Sequence, residues 1–378
     1  MVVNRIAIRT NKGEYIGGEK IYGAIYLWIC STEPCQSVKL KLEGHEKCEW
    51  EYRELTTNED GKRVEQIRTK RYKDEIFKAE SRLIDYGDGI PMGKYVYPFY
   101  CTLGPGLPGS FKSKGVQASN DKWQAEILYS VTAEVEMAGV EAVLKASQYI
   151  TVCESLPMTQ VEQEQINMSR KVKFCCCIPR GDVLLGAWLD KKAFVAGELA
   201  QLHLDVKNNS SIDIESFGIK MVRVVNLKPK QESLSGSHDE KSQAMKMPAF
   251  RMPCISNDVI RLTNPGCISK DKKESVVTLE LEDKETNEAF QPTTKGQLIQ
   301  CRYYIDANVD IPYAEPILVQ IPVTVQAPKN KMWHNWEPPQ WVDSCQLVKI
   351  SGSCAVPESV LGSKVFASIP GFQADPFG

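Results

Sequence analysis

Apolar and polar positions alternate with period two through most of the chain. Ile6 and Ile8 mark a first strand, the turn Asn11–Glu19 follows, and Ile21 to Ile29 is a second apolar run. Far along the chain Leu202, Leu204 and Val206 alternate with Gln201, His203 and Asp205. Such alternation predicts half-buried antiparallel strands. Gly18-Glu19 and Gly197-Glu198 each precede a long strand. The order "strand, Gly-Glu turn, long strand" therefore occurs twice and predicts two similar domains of roughly equal size.

The same reading places strands between these landmarks. Val38, Leu40 and Leu42 face away from Lys39 and Lys41, and Cys48–Tyr52 continues the strand. Arg53–Arg71 is highly charged and contains Asn58-Glu59-Asp60-Gly61, which predicts a hairpin turn or a mobile loop. Ile76–Ile84 fits a strand extension or a short helix. Pro98 interrupts the strand Lys94–Leu103, as at an edge or a bulge. Trp123–Ala138 and Val140–Val152 form a hairpin about Ala138-Gly139. Residues 154–169 are polar and read as a linker between a domain at 1–153 and a second at 170–328. Asp213–Leu227, Val259–Leu262, Ser275–Leu281, Gln300–Val309 and Ile317–Val325 supply the second domain's further strands. From 329 to 378 the chain turns rich in Ser, Gly and Pro and reads as an extended tail, either free or laid along the body.

Composition narrows the function classes. The formal net charge of −2 over 378 residues argues against a nucleic-acid binder. Met1–Arg5 opens no hydrophobic leader, and no apolar run is long enough to span a bilayer. Thirteen cysteines are an odd number in a large chain, which predicts a reducing, cytosolic compartment rather than a disulfide scaffold.

Candidate chemistry is sparse. Four histidines, His45, His203, His238 and His334, show no catalytic spacing, and no phosphate loop or His-Glu-x-x-His site occurs. Gly17-Gly18-Glu19 lies between two strands, so it lacks the helix a nucleotide cradle needs. Consecutive strand residues face opposite ways, so Cys175-Cys176-Cys177 does not make a tetrahedral metal site. The chain reads as a non-enzyme with no cofactor and no metal. Lys171, Lys173 and Arg180 flank that cysteine run and form a candidate membrane-facing basic patch, with a solvated edge as the plain alternative.

The stretch Arg170–Ser211 holds a cysteine-rich strand, a Pro179-Arg180-Gly181 turn, a lysine turn, Gly197-Glu198 and Asn208-Asn209-Ser210-Ser211. It resembles the opening of the second domain of the alpha-arrestins, arrestin-domain-containing proteins related to thioredoxin-interacting protein. Ile21-Tyr22-Gly23, Tyr97-Pro98-Phe99, Leu107-Pro108-Gly109-Ser110-Phe111, Ile127–Val131 and Leu298–Val325 match the family in order, covering about residues 5–326. The resemblance implies an all-β fold of two tandem arrestin-like (immunoglobulin-like) β-sandwiches with an extended C-terminal tail. It further implies a non-catalytic cytosolic adaptor, recruited to the plasma membrane or endosomes, that links transmembrane cargo or receptors to sorting machinery. Arg53–Arg71 and Lys228–Lys246 are its candidate cargo-facing segments. A retromer-type coat subunit with the related fold is the alternative.

Two tail motifs carry the remaining expectations. Relatives recruit ubiquitin ligases through Pro-Pro-x-Tyr, and here Pro338-Pro339-Gln340-Trp341 has an indole in place of the phenol. Its alternative is a linker whose Trp333, Trp336 and Trp341 pack back on the domains. Asp375-Pro376-Phe377 resembles the motif read by appendage domains of the clathrin adaptor. In it Asp375 offers a charge, Pro376 restricts the backbone and Phe377 supplies an aromatic anchor.

Overall fold

The computed structural model describes residues 3–30, 35–58, 60–87, 89–137, 143–154, 165–174, 178–229, 253–283, 288–312 and 314–372. The first domain comprises β1 (Arg5–Thr10), β2 (Glu14–Ile16), β3 (Lys20–Ile29), β4 (Cys35–Thr57), β5 (Arg63–Asp85), β6 (Gly93–Thr102), β7 (Phe111–Val116), β8 (Lys122–Met137) and β9 (Val143–Cys153). The second comprises β10 (Ile166–Phe174), β11 (Ile178–Leu189), β12 (Ala193–Val195), β13 (Leu199–Asn208), β14 (Ile214–Leu227), β15 (Cys254–Cys267) and β16 (Asp271–Glu280). Three short pieces, β17 (Glu282–Asp283), β18 (Glu288–Ala289) and β19 (Thr294–Lys295), lead to β20 (Ile299–Val309) and β21 (Ile317–Gln326).

Each domain is a sandwich of two sheets. In the first, β1-β3-β6 faces β2-β9-β8-β4-β5, with β7 added on β8. In the second, β10-β11-β13-β16 faces β12-β21-β20-β14-β15, with β19 added on β20. Inward residues such as Ile21, Ile25 and Leu27 of β3 and Leu202, Leu204 and Val206 of β13 belong to one apolar core that runs through both domains.

The repeated turn has one design. Glu19 accepts the Ile16 N–H at 2.8 Å and pairs with Lys12, while Glu198 accepts the Val195 N–H at 2.9 Å and pairs with Lys191. Gly18 and Gly197 sit at φ 88° and 89°, where a Cβ would be strained. The strand inside each turn runs parallel to its domain's last strand, β2 with β9 and β12 with β21. The Asn208–Ser211 motif is a buried polar knot. Asn208 Nδ2 donates to the carbonyls of Ile212, Cys267 and Ile268, and its Oδ1 accepts from the backbone N–H and the hydroxyl of Ser210. The Pro179–Asp182 turn leans on the same motif through Asn209 N–H to Asp182 O and Ser211 N–H to Arg180 O.

The structure decides the open local alternatives and moves one boundary. Of the two readings of Arg53–Arg71 the hairpin turn holds: β4 and β5 pair as far as Thr57–Arg63, and a tight turn closes a long hairpin. Ile76–Ile84 is strand throughout. Residues 166–169, read as linker, pair with β11 as the start of β10. The Ala138-Gly139 turn lies outside the described residues, although β8 and β9 are antiparallel neighbours.

The C-terminal extension is packed on the first sandwich. After Gln326 come α1 (Lys331–His334), a single 3₁₀ turn at Val342–Ser344, β22 (Gln346–Leu347) and α2 (Glu358–Leu361). β22 runs parallel to β6, and Ala355 bridges Phe99 further along it. Pro98 sits between those two contacts, where its missing N–H leaves no gap in a ladder. Trp341, Val342, Phe366 and Ile369 cover Ala24, Tyr26 and Val96 on the outer face of the first sheet.

Candidate functional site

The sequence candidates fall in different places. Asp375, Pro376 and Phe377 lie outside the described residues. Pro338 is exposed, but Trp341 is only 8 % exposed and packs on Trp28 with ring centroids 6.0 Å apart. The indole that would enter a partner's groove is thus committed to the chain's own sheet. Lys171 and Lys173 are exposed on β10, opposite Asp182 and Pro179 of β11. Arg180 is the extra residue where that register shifts, so the hairpin gathers all three at one end. Cys175–Cys177 and most of Lys228–Lys246 lie outside the described residues.

Sequence reasoning missed the groove at the domain junction. It encloses about 910 Å³ and is lined by Lys47, Arg71, Lys73, Lys112 and Lys114 from the first sandwich and by Arg223, Phe290 and Gln291 from the second. Strand register builds its floor. Lys73, Lys47, Glu126 and Lys112 stand in one row across β5, β4, β8 and β7, and Arg71, Glu49, Gln124 and Lys114 in the next. Lys47 is paired to Glu126 at 3.1 Å and Arg71 to Glu49 at 2.8 Å. Lys73, Lys112 and Lys114 make no ion pair among the described residues. Lys47 directly opposite Lys73 is a like-charge pair that costs a sheet a few tenths of a kcal/mol up to ~1 kcal/mol. An anion lying across the row would remove that cost. A clue was present in the sequence, since Arg68-Thr69-Lys70-Arg71-Tyr72-Lys73 is a basic run on one strand. Its partners β7 and Arg223 come from distant segments, and spacing alone does not reveal them.

The junction beneath the groove is tied by hydrogen bonds. Glu46 accepts the N–H groups of Gln297 at 3.0 Å and Ile299 at 2.7 Å. Glu154 accepts the Lys295 N–H at 3.1 Å, and the Thr294 hydroxyl donates to Gly109 O at 2.9 Å. Burial pushes both Glu46 and Glu154 above the ordinary carboxylate value, against the pull of the backbone N–H groups, and Asp74 adds to the rise at Glu46.

Burial raises the Cys48, Cys101 and Cys301 thiols to about 12, which leaves almost no thiolate at neutral pH. Among the described residues no group of three or more His, Cys, Asp or Glu side chains forms a metal cluster. No helix among them is long and apolar enough to cross a membrane. His203, read as a polar-face residue, stacks on Trp188 and meets Asp190 at 2.6 Å.

Two tandem sandwiches with a groove across their junction define a binding body, a class of protein that works by surface complementarity. The model of the N-terminal domain of arrestin (or S-antigen) matches residues 5–158, and that of the C-terminal domain matches residues 179–330. The chain belongs to the arrestin family. It is 25% identical over 333 residues to arrestin domain-containing protein A of Dictyostelium discoideum, covering 86% of this chain and 52% of that protein. It is 22% identical over 234 residues to arrestin domain-containing protein 1 of Mus musculus, covering 61% and 49%. The human protein of that name is 25% identical over 158 residues, covering 41% and 34%. The chain thus spans about half the length, or less, of the curated relatives it matches. Family membership supports a general adaptor or scaffold role.

Proposed function

We propose that the protein is an adaptor of the alpha-arrestin branch that docks acidic cytosolic segments of membrane-protein cargo in the groove between its sandwiches. It then links that cargo to endocytic or endosomal sorting machinery. The supporting observation is the row Lys73-Lys47-Glu126-Lys112 with Lys114 beside it and Arg223 on the opposite wall. Cations left unpaired on one face are matched by a carboxylate-rich or phosphorylated peptide, and attraction of this kind is screened by salt.

Fluorescence anisotropy with a labelled polyglutamate peptide tests the groove. The full chain should bind at low salt, and Lys73→Glu combined with Lys112→Glu should weaken binding at least tenfold. The same charge reversal at Lys171 and Lys173 should leave it unchanged. Equal binding by all three proteins would remove the groove as the docking site.

The membrane-machinery link rests on Asp375-Pro376-Phe377, and calorimetry of a peptide covering 368–378 against an appendage domain, with Phe377→Ala as control, tests it separately. Ligase recruitment through Pro338-Pro339-Gln340-Trp341 requires Trp341 to leave its place on Trp28. Lys171, Lys173 and Arg180 are a secondary contact with anionic membranes, to be read by liposome co-sedimentation of the triple alanine variant.

A further inference from the structure

Glu46 lies on β4 with 0 % exposure, and both its carboxylate oxygens are given to the other domain. Oε2 takes the Gln297 N–H and Oε1 the Ile299 N–H, while the Leu298 N–H also bears on the carboxylate. The receiving turn is shaped for it. Gly296 N–H donates to Ile299 O at 2.8 Å, and a Cβ on Gly296 would stand 2.0 Å from Glu46 Oε1.

From that turn a continuous set of contacts leads to the groove's second-domain wall. Ile299 is the first residue of β20. Further along β20, Tyr303 stacks on Phe290 at 5.8 Å, donates its hydroxyl to Gln291 O at 2.7 Å and stands opposite Arg223 of β14. Phe290, Gln291 and Arg223 are that wall. On the first-domain side, Lys47 and Cys48 follow Glu46 and line the facing wall. Cys48 Sγ also reaches Lys228 O at 4.0 Å, and Gln291 Oε1 accepts the Lys112 N–H at 3.0 Å.

A buried carboxylate is an expensive way to glue two domains, since well-packed apolar side chains hold as firmly without desolvating a charge. What it provides is a directional contact that is either made with its N–H donors or lost. We propose that Glu46 is a conformational latch: by holding the 296–299 turn it fixes the second sandwich against the first and sets the groove that crosses their junction. The latch deepens the proposed docking function and rests on it only for the link to ligand binding.

Hydrogen exchange on the full chain reads the latch directly. In wild type the Gln297 and Ile299 amides should exchange slowly. Glu46→Gln puts an amide N–H₂ against backbone donors, and Gly296→Ala forces a methyl into the carboxylate. Either change should raise exchange at 297–299 at least tenfold, with the core amides of β4, β8 and β20 beyond Tyr303 still protected. Polyglutamate affinity should fall roughly tenfold in both variants, the scale of one charged hydrogen bond. Unchanged exchange at 297–299 in Glu46→Gln overturns the latch. Faster exchange throughout β4, β5 and β8 also overturns it, because Glu46 would then be a residue of the fold. Faster local exchange with unchanged peptide affinity overturns the link to the groove. If wild type binds no peptide, the docking reading falls while the exchange data still decide the latch.

Discussion

The outer faces of the two four-residue-deep rows on β3 and β13 answer the same strand position in opposite ways. β3 turns Tyr22, Ala24, Tyr26 and Trp28 outward, whereas β13 turns Gln201, His203, Asp205 and Lys207 outward. The inward residues and the Gly-Glu turns that precede them are alike. The first face is apolar and lies under the C-terminal extension; the second needs no cover, its His203 and Asp205 meeting partners at the surface. One topology therefore serves a wetted face or a docked segment, and the choice lies in the side chains that the core does not see.

Removing the extension is the strongest way to break this comparison. A chain ending at Lys329 uncovers the face of Tyr22, Tyr26, Trp28 and Val96 and loses the burial of Trp341, Val342, Phe366 and Ile369. Each large apolar side chain buried is worth ~1.5–3 kcal/mol. The first sandwich should melt well below its value in the full chain and bind an apolar dye, while exchange in β13 and β16 stays unchanged. Identical melting of the two proteins would show that the first face needs no cover.

A smaller loss follows at the knot peculiar to the second sandwich. Asn208 ends β13 where Ile29 ends β3. Asn208→Ala removes the donor to three backbone carbonyls and the acceptor of the Ser210 N–H, while the Ser210 hydroxyl keeps its bond to the Ile212 carbonyl, for a cost of about 2–4 kcal/mol in chemical denaturation. Ile29→Val in the first sandwich should cost only about 0.5–1.5 kcal/mol.

Exchanging one pair sharpens the contrast. Tyr26→Asp places a carboxylate under the extension and removes the hydroxyl that donates to Pro370 O at 2.6 Å, so it should loosen residues 366–372 in hydrogen exchange and cost about 2–3 kcal/mol. Asp205→Tyr on the wetted face should stay within roughly 0.5–1 kcal/mol.

The smallest effect is a pH dependence at the seam between the two sandwiches. Glu46 is faced by Asp74 across from β5, by Cys48 on its own strand, by Tyr129 and by the backbone donors of 297–299, with Glu154 on the same seam. Its folded value is raised, so the native state binds a proton more readily than the unfolded chain. The pH-dependent part of its contribution therefore grows as pH falls through the raised value toward the ordinary 4.5, on top of the N–H contacts that the carboxylate already makes. Glu46→Gln does not titrate, so its stability deficit against wild type should widen between pH 7 and pH 5 in paired thermal melts. A deficit that narrows over that range would reverse the assignment.

Much of the fold is legible in residues 5–326 because the evidence is local. Period-two strands, Gly-Glu turns and the Asn208–Ser211 run each depend on near neighbours or on one adjacent strand. The extension was half legible: Trp333, Trp336 and Trp341 in a polar tail require partners on the body, which Trp28 on the outward face of β3 supplies to Trp341 and Arg9 of β1 supplies to the other two. The groove and latch were not legible. Glu46 sits in Glu43-Gly44-His45-Glu46-Lys47, where charge is the rule, and its partners lie at Gln297 and Ile299. Nothing local separates it from Glu43 or Glu49.

The extension's route also changes how the two sandwiches are joined. It leaves the second sandwich at Gln326 and is fastened to the first almost at once: Asn330 donates to the Glu14 carboxylate and to Tyr149 O, and Arg9, 6 % exposed, lies between the Trp333 and Trp336 rings at 3.8 and 4.8 Å. The Trp333 indole N–H donates to Thr10 O at 3.1 Å. The chain thus closes a loop, first domain to second and back to the first. A protease cut between the sandwiches leaves the second one leashed by a few residues to a segment docked on the first, at a high effective concentration. Such a nicked protein should run as two fragments under denaturing conditions and as one particle in gel filtration.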